Sequence, residues 1–126
     1  MQNIKAFNLA TADIFSLLYG EFPLKIEVFK INDFLEQNPR EYNAKILLAT
    51  LEFLEKEKFI EWSKAKPEHG IFVNLTLTLK GLSLLNKTPS ELKEAPTTGE
   101  SVFNAIKKGA FLVASETIKN AIARLF

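Results

Sequence analysis

The hydrophobic positions of this chain change their period several times, and each change marks an element. Ile14, Phe15, Leu17 and Leu18 fall on one side of a helix that Thr11 can cap, that begins at Ala12, and that Gly20 and Pro23 can end. Leu24, Ile26 and Val28 then alternate with Lys25 and Glu27, the period-two pattern of a short half-buried strand. Asn32 or Asp33 can open a brief helix through Phe34 and Leu35, stopped before Pro39. From about Arg40 to Lys58, the residues Ala44, Leu47, Leu48, Leu51 and Leu54 recur at spacings of three and four and predict a long third helix.

Phe59 to Ser63 predicts a strand, Lys64 to Gly70 a polar turn around Pro67, and Ile71 to Thr78 an alternating return strand, so a hairpin is expected. Thr78 can cap a last short helix, Leu79 to Leu85, in which Gly81 allows close approach to the strands. The first domain is expected to close near Asn86 and to span 1–86. Residues 87–100, with Pro89, Pro96 and Gly99 and no apolar stripe, predict a linker. Residues 101–126 are again helical in pattern, with Ser101 as cap. The expected fold class is α+β and mainly helical, a three-helix core with a small antiparallel hairpin and a separate C-terminal amphipathic helix. No internal repeat is visible.

Composition narrows the chemistry. A chain of 126 residues, 47% apolar and 25% charged, suits one compact core plus an accessory element. The absence of cysteine removes disulfides, thiolate nucleophiles and thiolate metal sites. A net charge of +1 gives little long-range attraction to a polyanion, so nucleic-acid binding needs a local patch. The first residues lack the basic start, long apolar run and cleavage site of an export signal, and a cytoplasmic location is expected.

The single histidine, His69, rules out a histidine pair for a metal and a Cys-His set, and its place in a polar turn argues against a Ser-His-acid set. Asp13 and Asp33 are placed like helix-start residues, and the five glycines form no phosphate-cradling run. No enzymatic activity, cofactor, metal or small-molecule ligand is therefore expected. Trp62, in a short amphipathic strand, is read as core or rim.

Two stretches carry a likeness to known proteins. Leu51-Glu52-Phe53-Leu54-Glu55-Lys56-Glu57-Lys58-Phe59-Ile60 looks like a leucine-rich helix end running into an apolar wing strand. Leu77-Thr78-Leu79-Lys80-Gly81-Leu82-Ser83-Leu84-Leu85 resembles the second-strand exit of MarR-like and PadR-like regulators. With the element order, these make the chain from about Thr11 to Asn86 resemble a winged helix-turn-helix domain, in which a hairpin flanks the recognition helix. The resemblance implies binding to duplex DNA and a role in transcription regulation. By position it implies contacts from Arg40, Tyr42, Asn43 and Lys45 at the start of helix three, and from Lys64, Lys66 and His69 on the wing. Helix three departs from that pattern in carrying Glu41, Glu52, Glu55 and Glu57, which limits phosphate neutralisation.

Two apolar stripes point instead to protein contacts. At about 100° per residue, Tyr42, Ile46, Ala49 and Phe53 lie opposite the core stripe of helix three, where either a longer first helix or a partner could cover them. Phe103, Ile106, Ala110, Ala114, Ala121 and Leu125, widened by Ile118, form a stripe along the C-terminal helix. Its small residues suit close helix packing, so a homodimer through this helix is expected. The alternative functions are thus a non-enzymatic protein-interaction module and, ranked last, a peripheral membrane adaptor using the basic tail.

Overall fold

The computed structural model describes residues 2–87 and 96–125. It is an α+β structure, mainly helical, with one small antiparallel sheet. The elements run α1 (Gln2–Glu21), β1 (Ile26–Lys30), α2 (Ile31–Gln37), α3 (Ala44–Lys56), β2 (Ile60–Glu61), β3 (Lys64–Lys66), β4 (Ile71–Leu77), α4 (Leu79–Asn86), α5 (Thr98–Lys107) and α6 (Phe111–Ala123). β4 is the central strand, with β1 on one side and the successive β2 and β3 on the other.

The organising element is α1. Ala10, Thr11, Ala12, Asp13, Ile14, Phe15 and Ser16 are consecutive and all buried, so the helix is enclosed on every side at its middle. It packs on α3, on β4, and on both α5 and α6. This explains why it begins ten residues before the expected start at Ala12. Thr11 reads locally as a cap, but burial of Ala6, Leu9 and Ala10 against neighbouring elements outweighs that weak propensity. Thr11 is consequently no cap: it sits inside the helix, fully buried, with its Oγ1 unpartnered.

Other boundaries shift for local reasons. α2 follows directly from β1, with Lys30 rather than Asn32 or Asp33 at its cap position. α3 begins at Ala44, not near Arg40, because the Asn43 side chain accepts from Ile46 N–H (3.0 Å) and fixes the first turn there. The hairpin forms, but Lys64 and Lys66 lie in β3, and the turn is confined to Pro67–Gly70, where Gly70 has φ +66°. Trp62 packs edge-on against Phe72, with ring centroids 4.7 Å apart.

The C-terminal region differs most from expectation. It is two helices, not one, with α5 capped by Thr97 and Glu100 in a reciprocal capping box rather than by Ser101. The break lies at Lys108–Ala110, where Gly109 adopts φ +77°. Of the expected linker over 87–100, residues 88–95 fall outside the described residues, and Thr98–Glu100 already belong to α5. Neither helix stands apart, since both pack on α1 and on each other. Among the described residues no helix is long and apolar enough to cross a membrane.

The strand exit matches its reading closely. Thr78 accepts from Gly81 N–H (3.1 Å) and donates to Lys58 O, tying α4 to the end of α3. A Cβ at Gly81 would lie 2.2 Å from the Phe59 carbonyl oxygen, a backbone atom that cannot swing aside. Gly81→Ala is therefore expected to cost at least the upper part of the about 1–3 kcal/mol typical of overpacking, read as a lowered urea midpoint with an unchanged m-value.

Candidate functional site

The seven residues implied for DNA contact divide into two groups. Arg40 and Tyr42 lie in the segment between α2 and α3, and they turn inward. The Arg40 guanidinium grips Asp13 of α1 through Nε (3.0 Å to Oδ2) and Nη2 (2.9 Å to Oδ1), with side-chain exposures of 7% and 1%. Tyr42 Oη donates to the second carboxylate oxygen at 2.7 Å. The ring of Phe111, the first residue of α6, covers the guanidinium at 4.1 Å, a cation–π contact. Neither Arg40 nor Tyr42 can reach a nucleic acid from these positions. Asp13, read as a helix-start residue, is in fact their shared acceptor.

This environment sets the state of Tyr42. Burial first, and then the adjacent Asp13 carboxylate, push its hydroxyl far above the ordinary tyrosine range, which holds it as a neutral donor to Asp13.

The remaining candidates stay on the surface. Asn43, Lys45, Lys64, Lys66 and His69 are exposed, although the Asn43 side chain is engaged as the α3 cap. Lys45 and His69 line one cleft between the start of α3 and the hairpin turn, together with Asn32, Leu48 and Glu68. Strand register adds a further lysine. Directly opposed residues share a sheet face, so Val28, Val73 and Lys64 form one row, and Lys30, Ile71 and Lys66 the next. The opposite face carries the buried Phe29 and Phe72 with Ala65 and looks into the core. Lys30, Lys64 and Lys66 thus stand on the outward face, around a half-covered apolar strip. Lys30 escaped notice in the sequence because only cross-strand register relates it to Lys66.

The expected protein-interaction stripes are also redistributed. On α3, Ile46 is half-buried, Ala49 and Phe53 are exposed, and Tyr42 belongs to the buried Asp13 cluster instead. The extended start of α1 partly covers this face, where Phe7 meets Phe53 edge-on at 5.5 Å, leaving Phe53 49% exposed beside an exposed Ile4. In α6, Ala114, Ile118 and Ala121 are buried as one face, but by the chain's own helices and not by a second subunit. In α5 the buried residues are Thr98, Gly99, Val102 and Ala105, while Phe103 and Ile106 are half-buried. The interruption at Gly109 resets the helical phase, so one projection through both helices misplaces the α5 face. Ala110 sits in the break, and Leu125 lies beyond α6, exposed.

Among the described residues, no group of three or more histidine, aspartate or glutamate side chains converges to hold a metal ion.

Two substitutions separate the buried cluster from the surface. Arg40→Ala leaves the Asp13 carboxylate buried without its cation, and an expected loss of about 3–5 kcal/mol is read from urea unfolding. Tyr42→Phe isolates the titration. The unfolded chain releases this proton above about pH 10 while the folded chain keeps it, so stability held below that pH falls by about 1.4 kcal/mol per further unit. The expected outcome is a shallower alkaline decline for Tyr42→Phe than for the unaltered chain.

Compared with family models, with curated proteins and with solved structures, the chain finds no match in any of the three.

Proposed function

We propose that the chain is a winged-helix module that binds duplex DNA through the hairpin and the opening turn of α3, with modest and strongly salt-dependent affinity. The order of helices and strands supports this reading: α3 precedes a hairpin whose second strand, β4, is flanked by β1. The observation that carries it is the distribution of cations. Lys30 and Lys66 share a row at the turn end of the sheet, Lys64 stands on the same face, and Lys45 and His69 line the adjoining cleft. No ion pair joins these lysines to an acid among the described residues, where Arg40–Asp13 is the pair observed. Their charge is available to phosphates even though the whole chain is nearly neutral.

The patch is small, and its size fixes the expected behaviour. Four lysines neutralising up to four phosphates give a slope of log K against log salt of about −3 to −4. Fluorescence anisotropy with a labelled duplex, titrated at several salt concentrations, measures it. Lys64→Glu with Lys66→Glu is expected to weaken binding more than tenfold, whereas Lys107→Glu, on α5, leaves it unchanged. No binding at low salt would remove the proposal.

A second reading, a protein-docking module, is favoured by one observation: Ile4 and Phe53 stay about half exposed where α1 meets α3. Retention of binding partners after Phe53→Ser, in a chain that shows no DNA affinity, would count against it.

A further inference from the structure

Most exposed apolar side chains of this fold stand among acids or mixed charges. Phe53 has the exposed Glu52 and Glu55 for neighbours on α3, Leu24 and Val28 alternate with Lys25 and Glu27, and Leu79 lines a cleft with Glu55 and Glu61. The turn between α5 and α6 is different. There Leu112 and Val113, consecutive in the first turn of α6, are 75% and 57% exposed, and the exposed Lys107 and Lys108 end α5 just before them. Residues 101–115 contain no aspartate or glutamate. The segment beneath Phe111 brings an exposed carboxylate, Glu41, next to the Arg40 that Asp13 already neutralises, so the charge about the turn stays positive.

We infer that this corner attaches the chain, shallowly and reversibly, to an anionic lipid surface, with Leu112 and Val113 entering between the headgroups and Lys107 and Lys108 on the lipid phosphates. Its form suits a lipid surface better than a protein partner. Gly109 turns the chain at φ +77°, and a Cβ there would meet nothing within 4 Å, so the turn faces open solvent and offers no groove. At about 100° per residue, the side of α6 opposite the buried Ala114, Ile118 and Ala121 carries Leu112 and Val113 in its first turn, but Glu116, Lys119 and Asn120 thereafter.

A second helix laid along that side would take these polar groups out of water, at a cost unless each found a partner. A flat interface touches the first turn alone and leaves them solvated. Lysines beside the apolar pair keep their charged heads at the depth of the phosphates while their stems lie along apolar surface. Lys107 already lies over the Phe103 ring, its Nζ 6.0 Å from the centroid.

Two aliphatic side chains and two cations give weak binding, so co-sedimentation is measured with lipid in large excess. Vesicles of phosphatidylserine and phosphatidylcholine in equal parts are expected to bind the full chain. Vesicles of phosphatidylcholine alone are expected to bind it much less, since each lysine near an anionic surface contributes about fivefold. Leu112→Ser with Val113→Ser is expected to lower binding about tenfold or more, and Lys107→Glu with Lys108→Glu about 25-fold or more. Leu112→Trp gives a readout that adsorption by charge alone does not move: its emission shifts to the blue as the ring leaves water for the headgroup region. The hairpin lysines form a second cationic patch, which Lys64→Glu with Lys66→Glu removes. Circular dichroism checks that the variants keep the fold, as expected of exposed side chains. No binding to the mixed vesicles overturns the inference. So do equal binding to both kinds of vesicle, binding untouched by the corner variants but lost with the hairpin variant, and a Leu112→Trp emission that stays unshifted.

Discussion

A carboxylate placed at the middle of a helix that is buried all round must be answered from elsewhere in the chain, and the answer arranges the molecule. Asp13 is held by Arg40 and Tyr42 from the segment before α3, and Phe111 of α6 closes over the arginine. Three parts of the chain far apart in sequence are thereby fixed at one point. An apolar substitute of similar volume could match the ion pair in stability, yet it would not dictate geometry as two-oxygen recognition by a guanidinium does. Because Arg40 and Tyr42 are held, Asn43 arrives where it can cap α3, and that cap aims Lys45 into the cleft beside the hairpin.

What the sequence revealed follows from the range of the interactions involved. The Thr78 cap and the close approach at Gly81 are decided within a few residues, and both read directly from the pattern. The expected alternation of β4 is not kept: Phe72 is buried with Leu75 and Leu77, while Ile71 and Val73 turn outward, because the strand changes phase at Asn74, which adopts φ +57°. The inward turn of Arg40 and Tyr42 depends on a partner in another helix, so their residue types alone suggested surface contacts. Thr11 misled in the opposite direction: a residue typical of helix starts lies deep inside one, because packing outweighs a propensity of a few tenths of a kcal/mol. Likewise, Gly109 carries the signal of a helix break, but the sequence does not disclose that the two pieces differ in phase.

The surface charge was legible only in part for the same reason. Lys64 and Lys66 announce themselves as near neighbours with a two-residue spacing, the period that keeps side chains on one sheet face. Lys30 joins them through the pairing of β1 with β4 and of β3 with β4, a relation that exists only once the central strand is placed between its neighbours. A near-neutral chain can in this way present a local cationic face without an unbalanced composition.

The central position of α1 also constrains the order in which the molecule can be assembled. During synthesis this helix emerges before the other described elements, whereas α5 and α6, which enclose one side of it, follow all of them. Until they arrive, the buried face of α1 and the guanidinium beneath Phe111 remain open to water, and contacts of such wide sequence separation form late and slowly. The C-terminal helices are thus the closing pieces of the core and not an appendage, and a nascent chain lacking them would present that face of α1 to other hydrophobic surfaces.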